Sequence, residues 1–301
     1  MNRGRTLITI GALGVVVGAI AAACFFFWPA SIEAVQATNA QPPGSALVAK
    51  GEYLTKAADC AACHTAPGGE PFAGGRAFKL PFGTIYSTNI TPDQETGIGR
   101  WSDAEFVRAL HRGVGRKGED LYPAFPYAAY ALLSTDDVLA IRGYLSTLQP
   151  VTSRNAENTL VFPFNQRYVL RAWKLLFMPP GRWTPSSTHD AIWNRGSYLA
   201  EALAHCGDCH TPRNLLFATK SGRKYSGAIV DGWKAYNITS DNESGIGAWS
   251  DEEIERYLSS GHAQARGSAG GGMAEAIDLS LRHLSSEDIA ALTGSITIRS
   301  H

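Results

Sequence analysis

Two five-residue segments constrain this chain more than anything else in it: Cys60-Ala61-Ala62-Cys63-His64 and Cys206-Gly207-Asp208-Cys209-His210. They stand in register within a longer internal repeat. Gly51-Glu52-Tyr53-Leu54 precedes the first as Gly196-Ser197-Tyr198-Leu199 precedes the second, and each histidine is followed by threonine, Thr65 and Thr211. Downstream, Asn89-Ile90-Thr91 and Gly97-Ile98-Gly99-Arg100-Trp101-Ser102-Asp103 recur as Asn237-Ile238-Thr239 and Gly245-Ile246-Gly247-Ala248-Trp249-Ser250-Asp251. Such duplication settles the domain count at two better than a length of 301 residues does. In each copy a serine with glutamate three residues on, Ser102 with Glu105 and Ser250 with Glu253, marks a capping box. The helices predicted from there run from Asp103 to His111 and from Asp251 to Ser259, stopping at Gly113 and Gly261. A closing helix comes next in each copy, from Ser134-Thr135-Asp136-Asp137 to about Leu148 and from Ser285-Ser286-Glu287-Asp288 to about Ile296. Gly51 with Tyr53, and Gly196 with Tyr198, mark a close crossing of the first and closing helices. With almost no strand pattern, the expected fold class is all-α.

Cys-x-x-Cys-His is the attachment signature of c-type haem. Two cysteines three apart on a helical turn face the same way, so both thiols can add to the vinyl groups of one haem. The adjoining histidine then reaches the iron. A zinc site is the bland alternative, but cysteine pairs split between two copies leave each short of a closed tetrahedral set. A thioredoxin-type redox pair would need an alternating strand and helix pattern that is absent. The expectation is therefore two covalently bound haem c groups, with Cys60, Cys63, Cys206 and Cys209 as thioether sites and His64 and His210 as axial ligands.

The chain has only 3 methionines, and a methionine sixth ligand favours reduced iron. Met273 is expected in a glycine-rich loop ahead of the second closing helix, as the sixth ligand of the second haem. Phe125 stands as far after Trp101 as Met273 stands after Trp249, and phenylalanine cannot ligate iron. The first haem is then five-coordinate or takes its ligand elsewhere, with His111 and Met178 as candidates.

Basic residues Arg3 and Arg5 precede an uncharged run from Leu7 to Trp28, long enough to span a bilayer and oriented to send the rest of the chain across the membrane. An uncleaved signal-anchor over residues 1–30 is expected, with haem domains in the periplasm; a cleaved signal peptide ending near Ala34-Val35-Gln36-Ala37 is the competing reading. Residues 31–45 read as a stalk and the Pro-rich residues 151–190 as a connector. Lys plus Arg (27) equals Asp plus Glu (27), so no net field attracts nucleic acid, and no nucleic-acid partner is expected.

On these residues the chain resembles the multihaem cytochrome c subunits of bacterial membrane-bound dehydrogenases for alcohols, gluconate, aldehydes and related substrates. The resemblance covers about residues 45–301. It is carried by both Cys-x-x-Cys-His motifs, the two repeated segments, the Tyr122-Pro123-Ala124-Phe125-Pro126-Tyr127 loop, Phe162-Pro163-Phe164-Asn165-Gln166-Arg167 and Met273-Ala274-Glu275. It implies two tandem class I cytochrome c domains, at 46–150 and 191–301, after the N-terminal transmembrane helix. It implies an electron-transfer subunit rather than a catalytic one, fed by a separate dehydrogenase subunit of molybdopterin, flavin or quinoprotein type. Electrons would leave to a quinone, a cytochrome or an oxidase. Members commonly carry a third haem domain, whereas two motifs are present here. Phe125 in the methionine position resembles cytochromes paired with molybdenum-containing enzymes that oxidise aldehydes or heterocycles. A dihaem cytochrome c peroxidase and a dihaem subunit of a terminal oxidase are the rival functions.

Overall fold

In the computed structural model, the structure describes residues 3–27 and 43–297. After an N-terminal helix α1 (Arg3–Phe27), the first copy comprises α2 (Ser45–Ala57), α3 (Cys60–His64), α4 (Asp103–Arg112), α5 (Tyr127–Tyr130) and α6 (Thr135–Leu145). A connector carries α7 (Leu170–Phe177). The second copy comprises α8 (Ala191–Tyr198), prolonged by a π-turn over Leu199–Leu203, then α9 (Gly207–His210), α10 (Asp251–Ser260), α11 (Gly271–Leu279) and α12 (Ser286–Thr297). Both capping boxes are formed, at Ser102 with Glu105 and at Ser250 with Glu253. Both of these helices end on a left-handed glycine, Gly113 or Gly261, which sheds the helix without a Cβ penalty.

The first helix of each copy packs along the closing helix, α2 on α6 and α8 on α12. At the crossing, a Cβ on Gly51 would collide with the carbonyl of Ala140, and one on Gly196 with the carbonyl of Ala291. Around these crossings runs one hydrophobic cluster shared by the two copies, from Leu54, Val107 and Ile141 through Leu199 and Leu203 to Ile277 and Leu292. Each such fully buried aliphatic side chain contributes about 1.5–3 kcal/mol.

The all-α expectation is corrected: the protein is about 45% helical and carries several short strands. β1 (Ala77–Leu80) pairs antiparallel with β2 (Gly83–Tyr86), β3 (Ala228–Val230) with β4 (Trp233–Ala235), and β5 (His262–Ala263) with β6 (Gly267–Ser268). These strands are too short to show a period of two, and turn chemistry makes them. Asp231-Gly232 between β3 and β4 takes positive φ at both residues, 49° and 79°, the conformation of a two-residue hairpin.

The expected transmembrane anchor is corrected as well. Among the described residues no helix is long and apolar enough to cross a membrane. The membrane localisation that rested on this anchor falls with it. The end of α1 leans on the connector, where Arg171 Nη1 donates to Phe25 O (3.1 Å) and the Phe26 ring meets Tyr168 edge-on. The expected stalk and the alternative cleavage site lie, but for the last residues of the stalk, outside the described residues.

Gly51→Ala or Gly196→Ala is expected to destabilise the protein by about 1–3 kcal/mol or more, because the helices can separate only by opening the shared core. Thermal denaturation followed by far-ultraviolet circular dichroism checks this, with Gly222→Ala, which has open space around it, as the neutral control.

Candidate functional site

Each motif begins with a left-handed residue, Asp59 (φ 53°) or His205 (φ 38°), which turns the chain out of the preceding helix. One helical turn comes next, Cys60–His64 or Cys206–His210, the second closed by His210 N donating to Cys206 O (3.0 Å). The two cysteines of each pair therefore lie on one side of a turn, with the histidine next to them.

The imidazoles are held identically. His64 Nδ1 bonds Thr88 O at 2.6 Å and His210 Nδ1 bonds Tyr236 O at 2.7 Å. With a carbonyl as partner, Nδ1 carries the proton and Nε2 is left as a ligand. Burial, partly opposed by that hydrogen bond, holds both imidazoles below their ordinary pKa and so neutral at neutral pH. The repeated Asn-Ile-Thr segment places the acceptor. Asn89 Oδ1 takes the amide and the hydroxyl of Thr91 (2.9 and 2.7 Å), and Asn237 Oδ1 takes those of Thr239 (2.8 and 2.7 Å), fixing the backbone just after each carbonyl.

In the first copy His64 opens on a cavity of about 350 Å³, walled by Cys60, Cys63, Tyr122, Phe125 and Tyr130 among others. Its size suits a cofactor. Thiols stand at one side, an unspent imidazole nitrogen faces in, and the wall is mostly apolar, which is the donor set and lining that a haem attached by thioethers requires. Burial, with Asp59 adding, pushes the Cys60 thiol up to about 12 and the Cys63 thiol up to about 11. Phe125 lines this cavity, whereas His111 and Met178 do not. His111 is instead buried in α4, 1% exposed, and Met178 ends α7.

In the second copy Met273 lies on α11 rather than in a loop, half-buried against the shared core. The hairpin that ends in the Tyr236 carbonyl also reaches α11, where the Trp233 ring covers Gly271. One hairpin thus touches both His210 and the start of the helix carrying Met273.

No family model matches the chain. Proteins similar over most of it, at 38–44% identity, are cytochrome c subunits of gluconate, fructose and alcohol dehydrogenases and a dihaem cytochrome c. "Diheme cytochrome c-type" of Cereibacter sphaeroides is 38% identical over 235 residues, which is 76% of this chain and 78% of that protein. The chain belongs to this family of bacterial cytochromes c. The cytochrome c subunit of gluconate 2-dehydrogenase from Pantoea cypripedii is 42% identical over 257 residues, 82% of this chain and 58% of that subunit. A nicotinate dehydrogenase subunit of Pseudomonas putida is 41% identical over 283 residues, 94% of this chain and 24% of that subunit. The chain thus spans only part of these two relatives, about a quarter of the nicotinate dehydrogenase subunit and somewhat over half of the gluconate one.

Several residues around the family's motif were not singled out from the sequence. Arg76 reaches from the first copy to the second, donating to Ala62 O inside the first motif and pairing with Glu275 of α11 (Nη2 to Oε2, 2.7 Å). Asn155 and Asn158 of the connector accept the amides of Asn89 (2.8 Å) and Tyr86 (3.0 Å), closing the connector over the first cavity. No motif announces them, because their partners are backbone groups or lie far away in sequence. Asp59 is a further case. Burial, reinforced by Glu275 and opposed by Arg76, raises its carboxyl to about 7, and Oδ1 has no hydrogen-bond partner among the described residues.

A carboxyl whose folded-state pKa is raised stabilises below its unfolded pKa and loses that contribution as pH rises towards the folded value. Thermal melts of the wild type should therefore fall between about pH 4 and pH 7 from this group. Asp59→Asn lacks that fall, and its advantage over the wild type is expected to be greatest above pH 7. An unchanged difference between pH 5 and pH 8 would remove Asp59 as the cause.

Proposed function

We propose that this chain is the electron-carrying subunit of a dehydrogenase complex and holds two haem c groups. The first would be attached at Cys60 and Cys63 with His64 as axial ligand, the second at Cys206 and Cys209 with His210 and Met273. The observation that carries this is the identical setting of the two histidines, each bonded through Nδ1 to a carbonyl beside an Asn-Ile-Thr turn. Bound haem supplies reversible one-electron chemistry at iron. The residues of the chain orient the imidazoles, exclude water with apolar walls and present the cysteines. The copies at 46–150 and 191–301 are proposed as the two haem domains.

Dehydrogenase subunits among the relatives support a catalytic partner that feeds electrons in. The extent of the match to the nicotinate dehydrogenase subunit, together with Phe125 in place of methionine, favours a partner that oxidises a heterocycle or aldehyde. Phe125 denies the first site a sulfur ligand and Met273 offers one to the second, so the first site is the low-potential entry and the second the high-potential exit. The onward acceptor would be a quinone, a cytochrome or an oxidase.

Intact mass and alkaline pyridine spectra of the exported protein should give two covalently attached haems. A reductive titration should resolve two steps, and the long-wavelength band of sulfur-ligated ferric iron should account for one haem only. Met273→Ala is expected to abolish that band while leaving both haems attached. Two equal potentials, with the sulfur band present for both haems, would overturn the assignment.

A further inference from the structure

The repeated tyrosines do more than mark a helix crossing. Each reaches out of its own copy into the cap of the other copy's closing helix. Tyr53 Oη donates to Asp288 Oδ2 (2.6 Å) and accepts from Ser285 N (3.2 Å). Tyr198 Oη donates to Asp137 Oδ2 (2.6 Å) and accepts from Ser134 N (3.1 Å). The pattern is reciprocal, as an interface about a two-fold axis requires.

Local chemistry explains why a tyrosine is wanted there. In α4 and α10 the Ser-x-x-Glu box closes on itself, since Glu105 and Glu253 reach back to the amides of Ser102 and Ser250 (2.8 and 2.9 Å). The closing helices read Ser-x-x-Asp instead. Asp137 and Asp288 take only the forward half of the box, each main-chain amide donating to Ser134 Oγ (3.1 Å) or Ser285 Oγ (3.2 Å). A hydroxyl from the opposite copy bridges the remaining gap between the aspartate and the serine amide. Each aspartate also binds a cation of its own copy, Lys50 to Asp137 at 2.6 Å and Arg195 to Asp288 at 2.6 Å, so the group the tyrosine meets is a fixed anion.

The same interface brings the motifs together. Tyr130 of the first copy donates to Ala58 O (2.6 Å), two residues before Cys60, and its ring meets His205, the residue before Cys206, at 5.6 Å. α11 of the second copy packs on α3 of the first.

We propose that Tyr53 and Tyr198 are positioning residues, two inter-copy caps that set the orientation of one Cys-x-x-Cys-His motif relative to the other. The inference rests on the haem reading above for its consequence: orientation of the motifs becomes orientation of the two haems.

The test uses the full-length exported chain and reads the exciton couplet that two neighbouring haems produce in Soret circular dichroism. Tyr53→Phe with Tyr198→Phe keeps the rings and removes both hydroxyls. It is expected to lower the melting temperature by a few degrees and to reduce the couplet at least twofold, with two haems retained and the sulfur band intact. Adding Asp137→Glu and Asp288→Glu rebuilds each capping box within its own helix. Stability should then return while the couplet stays reduced. A couplet unchanged in the double tyrosine variant, or one that recovers along with stability, overturns the proposal and leaves the tyrosines as caps only. Intact mass is read first. A wild type without two haems sinks the functional reading, and the inter-copy link is then judged by a double-mutant cycle of Tyr53→Phe against Asp288→Asn, where additive effects overturn it.

Discussion

In each copy the first and closing helices meet with no side chain between them, glycine against carbonyl, at Gly51 over Ala140 and at Gly196 over Ala291. Residues at the far end of the first helix lead straight into a left-handed turn and then the Cys-x-x-Cys-His segment, so this crossing sets where each motif leaves the helix pair. The shared hydrophobic cluster then joins the two crossings into a single core. Interiors are close-packed and do not deform continuously, so a displacement at either crossing is felt at both motifs.

Much of this is legible in the sequence. Repetition located both motifs, both capping boxes and the glycines at the crossings, because each depends on residues close together in sequence. The features that were not legible have a common physical cause. The hairpins are only two to four residues per strand, too brief for alternation to register, although Asp231-Gly232 carried a turn signal. The carbonyls of Thr88 and Tyr236 belong to the backbone, which every residue has, and leave no trace in composition. The sequence around Tyr53 shows only a helix crossing, because its partner, Asp288, lies at the other end of the chain.

The two copies have parted in ways that bear on chemistry. The connector closes over the first cavity through Asn155 and Asn158, while Thr159 and Val161 bond Thr84 and Phe82 across the first hairpin. In the second copy the corresponding hairpin carries Trp233, whose ring lies over Gly271 at the start of the helix bearing Met273. Phe125 fills the wall of the first cavity at the repeat position of Met273. A duplicated scaffold has thus kept the setting of the motif histidine and changed the residues around it.

The acceptor for each histidine being a main-chain oxygen bears on how such a duplicate can diverge. A side-chain acceptor would have to be preserved as a residue type in both copies. A carbonyl asks only that the backbone keep its path, which the asparagine turn beside it secures. Position 88 is threonine and its counterpart at 236 is tyrosine, yet both imidazoles are gripped within 0.1 Å of the same distance. The side chains there are free to drift, and with them the surface that each copy shows to its surroundings, without loosening the histidine beneath.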